Sequence, residues 1–226
     1  MMRHLLLALL ILTLAACGRG VPNGARVVVA GDSVMAWNRI EGASVADGLA
    51  ERLGVAVGDV SLPAARMTGS RPGPMHIPNQ VAGLSPDWPD WMVLNGGAND
   101  LRAECGCTGC DDVLDRLISS DGQSGAIPDL VRQVRAQGTR VLWADYYTSP
   151  RFAGTACVRP YDRLTARLTR MAAADDGVLL VDMGRVVSSS DRELFAADRL
   201  HPSERGSARI AALIADTLQQ ADTTLR

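Results

Sequence analysis

Side chains able to do chemistry are sparse in these 226 residues. There is no lysine, so all 23 basic residues are arginines. That excludes Schiff-base and pyridoxal chemistry and the lysine of a phosphate-binding loop. Histidine occurs at positions 4, 76 and 201. His4 falls in a segment that reads as a removable leader. His76 lies in a proline-rich stretch with no carboxylate close in sequence, which suits a surface or substrate-wall position. His201 follows Asp198 by three residues, a spacing that lets the carboxylate accept the Nδ1–H and fix the tautomer. Gly31-Asp32-Ser33 and Gly97-Ala98-Asn99-Asp100 add a hydroxyl and a side-chain amide. A nucleophile, a base, an acid to orient it and donors for an oxyanion are what ester cleavage needs. Each piece alone is a common turn, and their order along the chain is what carries weight.

Such groups must be held by regular elements. Ala25 to Ala30 is a short β-branched run ending at Gly31, as in a buried parallel strand. Further strands are expected at Val55–Leu62, Trp91–Asn95, Arg140–Tyr147 and Val178–Met183. Helical sequence falls within Trp37–Leu53, with Gly42 and Gly48 as candidate breaks. Ile127, Leu130, Val131 and Val134 share a helical face closed by Gly138. Tyr161, Leu164, Leu168 and Met171 form a second stripe, and Ile210, Leu213, Ile214 and Leu218 a third. These stripes, and most of Trp88, Trp91 and Trp143, read as core. Arg66–Pro89, with five prolines, and Leu101–Asp112 fit neither period and are expected to be irregular. The alternation predicts an α/β fold: a three-layer α/β/α sandwich on a mainly parallel five-stranded sheet. In such sheets ligands bind beyond the carboxyl ends of the strands, where Ser33 and Asn99 fall.

With those motifs placed, the sequence resembles the SGNH hydrolases, the GDSL-type esterase and lipase superfamily, over about residues 26 to 220. Gly31-Asp32-Ser33 matches the first motif, with Val34 in place of the usual leucine. Gly97, Asn99 and Asp100 match the Gly-x-Asn-Asp motif, and Asp198-Arg199-Leu200-His201-Pro202 the closing one. The resemblance implies Ser33 as nucleophile, His201 as base and Asp198 as its partner. Ser33, Ala64 and Asn99 would form the oxyanion hole. Ala64, in Asp59-Val60-Ser61-Leu62-Pro63-Ala64, stands where the family has glycine, and Gly69 is the alternative donor. Gly31-Asp32-Ser33-Val34-Met35 lacks the second glycine of the Gly-x-Ser-x-Gly elbow, so the α/β-hydrolase family fits poorly. No metal or organic cofactor is implied. The expected substrate is a small-molecule or glycan ester with a short acyl or O-acetyl group. A lysophospholipase-like lipid ester or thioester hydrolase and a non-catalytic glycan-binding protein are the alternatives.

The first residues carry an arginine, a twelve-residue apolar run and then Cys17, too short to span a bilayer but suited to export. Leu14-Ala15-Ala16-Cys17 resembles a bacterial lipobox. That resemblance implies a signal peptide at 1–16, a lipidated tether at 17–25 and a single hydrolase domain at 26–226. By the same resemblance, Gly18 rather than Asp after the cysteine favours the outer membrane of a two-membrane bacterium, facing the periplasm. Cys105, Cys107, Cys110 and Cys157 remain, an even set that in an exported protein reads as two disulfides, one reaching Cys157. A zinc site is the competing reading. The formal charge of −2, without a basic run, argues against a nucleic-acid partner. Nothing in the sequence speaks to oligomeric state.

Overall fold

The computed structural model describes residues 20–69 and 73–226. The proposed leader, His4 and Cys17 lie outside the described residues. In chain order the elements are β1 (Val27–Ala30), α1 (Ser33–Ala36), α2 (Val45–Leu53), β2 (Val57–Asp59), α3 (Ile77–Ala82), β3 (Trp91–Leu94), α4 (Ala98–Glu104), α5 (Asp111–Leu117), α6 (Ala126–Arg135), β4 (Arg140–Asp145), α7 (Val158–Ala172), β5 (Val178–Asp182) and α8 (Glu204–Ala221).

All five strands run parallel, in the order β2-β1-β3-β4-β5. The strands are nearly all apolar because both sheet faces are covered, and successive side chains go to opposite layers. Val28, Ala30, Met92, Leu94, Val141 and Trp143 face a core built with α3 to α7. Val27, Val29, Trp91, Val93, Leu142 and Ala144 face a second core with α1, α2 and α8. This is the expected three-layer sandwich, with a wholly parallel sheet. Strand order reverses between β1 and β3, so a crevice opens above their carboxyl ends. Residues 31–33 and 96–99 emerge there.

Several expectations need correction. The helix sought within Trp37–Leu53 begins only at Val45, where Ser44 and Asp47 form a reciprocal capping box. Gly48 does not break it. A Cβ there would come within 2.7 Å of Ala211 Cβ, so the glycine lets α2 and α8 pack closely. Arg66–Pro89 is not wholly irregular, because α3 forms within it. Pro78 sits in its first turn, where a missing N–H costs nothing, and Ile77, Gln80 and Val81 are buried. Likewise α4 runs on to Glu104 and α5 starts at Asp111, leaving only 105–110 irregular.

The cysteines pair as Cys105–Cys110 and Cys107–Cys157. The first closes the short link between α4 and α5, and the second ties it to the start of α7. All four sulfurs are thus bridged, which corrects the zinc alternative. Val21 and Ala25, in the stretch read as tether, pack against the first core. Among the described residues no helix is long and apolar enough to cross a membrane.

Candidate active site

Ser33 is placed by a clasp between the ends of β1 and β3. The Asp32 N–H donates to Asn95 Oδ1 at 3.0 Å, and Asn95 Nδ2 donates back to Asp32 Oδ1 at 3.0 Å. Gly31 has φ of +150°, and a Cβ there would lie 1.8 Å from Asn95 Oδ1, so only glycine fits. Gln80 of α3 makes a second clasp, accepting from the Gly31 N–H at 2.8 Å and donating to its carbonyl at 3.0 Å. Asp32 Oδ1 also caps α1 by accepting from the Val34 N–H at 3.0 Å. The Tyr146 hydroxyl donates to Asp32 Oδ2 at 2.5 Å. Burial, then the charge of Asp32, pushes that phenol well above its ordinary pKa, so it remains a donor. Ser33 is therefore the first residue of α1, fixed on both sides. Its own N–H has no backbone acceptor among the described residues.

His201 comes from the turn before α8. Asp198 Oδ1 accepts from the backbone N–H groups of Leu200 at 2.9 Å and His201 at 3.0 Å. Arg199, the residue after Asp198, takes a left-handed φ of +59° in this turn. Asp198 Oδ2 then lies 2.5 Å from His201 Nδ1, and His201 Nε2 lies 2.8 Å from Ser33 Oγ. Partial burial raises the Asp198 pKa, but the two N–H groups and the imidazole outweigh it and hold the carboxyl below its usual range. Asn38 steadies the turn, its amide donating to the Pro202 carbonyl at 3.2 Å and to Ser207 Oγ at 2.9 Å.

Asn99 Nδ2 donates to the Ala65 carbonyl at 3.0 Å, and Arg102 donates to Asn99 Oδ1 at 3.3 Å. The amide is thus oriented at both ends, with one N–H to spare. Asp100 is buried and accepts from the N–H groups of Met67 and Thr68, holding the segment after Ala64. Burial raises its pKa despite those bonds. Gly97, with φ of +108°, makes the turn into α4. Ala64 adopts φ of +63°, the glycine-like conformation, in spite of its Cβ. Its N–H also lacks a backbone acceptor among the described residues. Ser33, Ala64, Asn99 and His201 line one cavity of about 200 Å³; Gly69 does not line it.

The model of the GDSL-like lipase/acylhydrolase family matches residues 29–209. The chain belongs to this family. It is therefore an ester-hydrolysing enzyme. No curated protein matches the chain. Among solved structures, a GDSL-like lipase from Bacteroides thetaiotaomicron is 17% identical with a TM-score of 0.60, covering 94% of this chain and 96% of its own. A family two carbohydrate esterase from Clostridium thermocellum is 17% identical with a TM-score of 0.62, over 88% and 64%. A family 2 carbohydrate esterase from Corynascus thermopiles is 16% identical with a TM-score of 0.64, over 89% and 67%. At these identities the likeness concerns the fold.

In this GDSL-family enzyme the cavity wall is aromatic, and sequence reasoning missed it. Trp37, Tyr146, Tyr147, Phe152 and Tyr161 line the cavity. Trp37 stacks on His201. Tyr161 was expected in the core with Leu164 and Leu168. It sits instead in the first turn of α7, above the sheet, with its hydroxyl 3.5 Å from the Ala98 carbonyl. Trp91 and Trp143 are fully buried, and Trp88 packs on the first core. His76 stands outside this cavity and donates from Nε2 to the Met67 carbonyl at 3.1 Å. Among the described residues no cluster of three potential metal ligands occurs.

Proposed function

We propose that this enzyme is a serine esterase working through an acyl-Ser33 intermediate on short-acyl or O-acetyl esters. The observation that carries the reading is the chain of contacts Asp198–His201–Ser33, at 2.5 and 2.8 Å. Ser33 Oγ attacks the ester carbonyl carbon as its proton passes to His201 Nε2. Asp198 holds the imidazole by Nδ1 and stabilises the cation that forms. The N–H groups of Ser33 and Ala64 and the Asn99 amide receive the negative oxygen. Collapse breaks the bond to the alcohol, which leaves with the proton from His201. A water molecule then repeats the sequence and releases the acid.

Size supports a short acyl group. A cavity of about 200 Å³ is smaller than the sites that enclose drug-sized ligands. The aromatic wall suits a small apolar group beside a larger alcohol left outside. The fold likeness to carbohydrate esterases agrees with a glycan O-acetyl ester. The sequence around Cys17 supports export and a lipid anchor in the bacterial envelope.

Ser33→Ala tests the mechanism. Hydrolysis of 4-nitrophenyl acetate should fall by several powers of ten, and a fluorophosphonate should label wild-type Ser33 alone. Undiminished turnover by a purified variant would remove Ser33 from the reaction.

A further inference from the structure

The oxyanion donors Ser33 and Asn99 stand on different strand ends. Ser33 follows β1 and Asn99 follows β3, yet their N–H groups must meet one oxygen within hydrogen-bond reach. The clasp between Asp32 and Asn95 joins the two strand ends below that level. Between Asn95 and Asn99 the chain turns through Gly96 and Gly97, so the clasp alone does not fix where Asn99 falls. Ala65 and Arg102 orient the Asn99 amide, but the backbone that carries it has to be held as well.

Tyr146 holds it from a third strand. It is the first residue after β4, with its N–H donating to Asp145 Oδ1 at 2.7 Å. Because β3 lies between β4 and β1, its side chain reaches across the end of β3. The hydroxyl donates to Asp32 Oδ2 at 2.5 Å and accepts from the Ala98 N–H at a longer 3.4 Å. One oxygen thus touches the residue before the nucleophile and the residue before the amide donor. Asp32 is 1% exposed, and its Oδ1 is taken by Val34 and Asn95. Its Oδ2 has the Tyr146 hydroxyl as its partner among the described residues, and losing that donor would strand a buried carboxylate oxygen. Tyr161 packs edge-on against the Tyr146 ring, with its own hydroxyl 3.5 Å from the Ala98 carbonyl.

We propose that Tyr146 is a positioning residue whose hydroxyl sets the Asn99 amide against Ser33, so that both donors converge on the oxyanion. The inference rests on the acyl-serine reading and adds a residue to its machinery. The phenol moves no proton in the reaction, since burial and the neighbouring Asp32 keep it protonated. Its effect passes through Asn99, because a shift of the α4 start of even about 1 Å is enough to spoil the alignment of a catalytic donor.

The test is a double-mutant cycle on 4-nitrophenyl acetate, with wild type, Tyr146→Phe, Asn99→Ala and the double variant. Tyr146→Phe keeps the ring in the cavity wall, so KM should stay within about twofold while kcat falls roughly ten- to a hundredfold. In the Asn99→Ala background the same change should cost less than about threefold, because no amide is left to place. Rates are compared well below each variant's melting temperature, where a merely structural role would cost the same factor in both backgrounds. Equal factors, or wild-type kcat in Tyr146→Phe, overturn the role of Tyr146 alone, provided that Asn99→Ala is slow by itself. An Asn99→Ala enzyme as fast as wild type overturns the oxyanion reading on which that role depends.

Discussion

The indole of Trp37 lies flat on the imidazole of His201, with ring centroids 3.7 Å apart and planes 9° from parallel. Trp37 is the C-cap of α1, the helix that Ser33 begins, so one short element and its cap carry both the hydroxyl and the surface against which its partner ring rests. The imidazole is thus held along its edge by Asp198 and on its face by Trp37.

That stack should matter to rate. Trp37→Ala removes the face contact while leaving both hydrogen bonds of the imidazole possible, and kcat should fall about tenfold, in line with the worth of an aromatic pair. Trp37→Phe should keep most of the activity. Steady-state kinetics on an aryl acetate would decide it, and wild-type kcat in the alanine variant would show that the stack does not orient the base.

The acid side of the pH profile should report one proton. Only an unprotonated Nε2 can accept from Ser33, so activity falls as pH falls. Asp198 adds no second step near neutral pH, because two backbone N–H groups and the His201 imidazole hold its carboxyl below the usual carboxylate range. The logarithm of kcat/KM against pH should therefore rise with a slope of one before levelling. A slope of two would mean that Asp198 takes up its proton in the same range.

Asn99 and Arg102 should separate cleanly. Asn99→Ala deletes an oxyanion donor and should lower kcat by roughly 100- to 1,000-fold, with little change in KM. Arg102, exposed at the rim of the same cavity, steers the Asn99 amide rather than donating to the oxyanion, so Arg102→Ala should cost less than about tenfold. Equal losses in the two variants would mean that Arg102 itself contacts the substrate.

Much of the fold was legible because its signals are local. Val27 to Ala30 and Trp91 to Leu94 are short, apolar and bounded by turn residues, so their lengths and flanks mark them as buried strands. The stripe from Ile127 to Val134 marks α6 in the same way. Where the expectation failed, a distant contact had overruled a local cue. Prolines argued against α3, yet burial of Ile77 and Val81 against the sheet makes the helix, and Pro78 is harmless in its first turn. Tyr161 keeps the spacing of a core residue, but α7 begins above the sheet edge and exposes that turn to the cavity.

From the order of residue types alone came the parallel α/β architecture, the polar groups at the strand ends and the Asp198–His201 spacing, since each depends on neighbours within a few positions. Which cysteines pair, that Ala64 rather than Gly69 borders the cavity, and that Trp37 covers His201 depended on folding. These are distances between residues far apart in the chain, and they follow from strand order and from how the loops pack above the sheet.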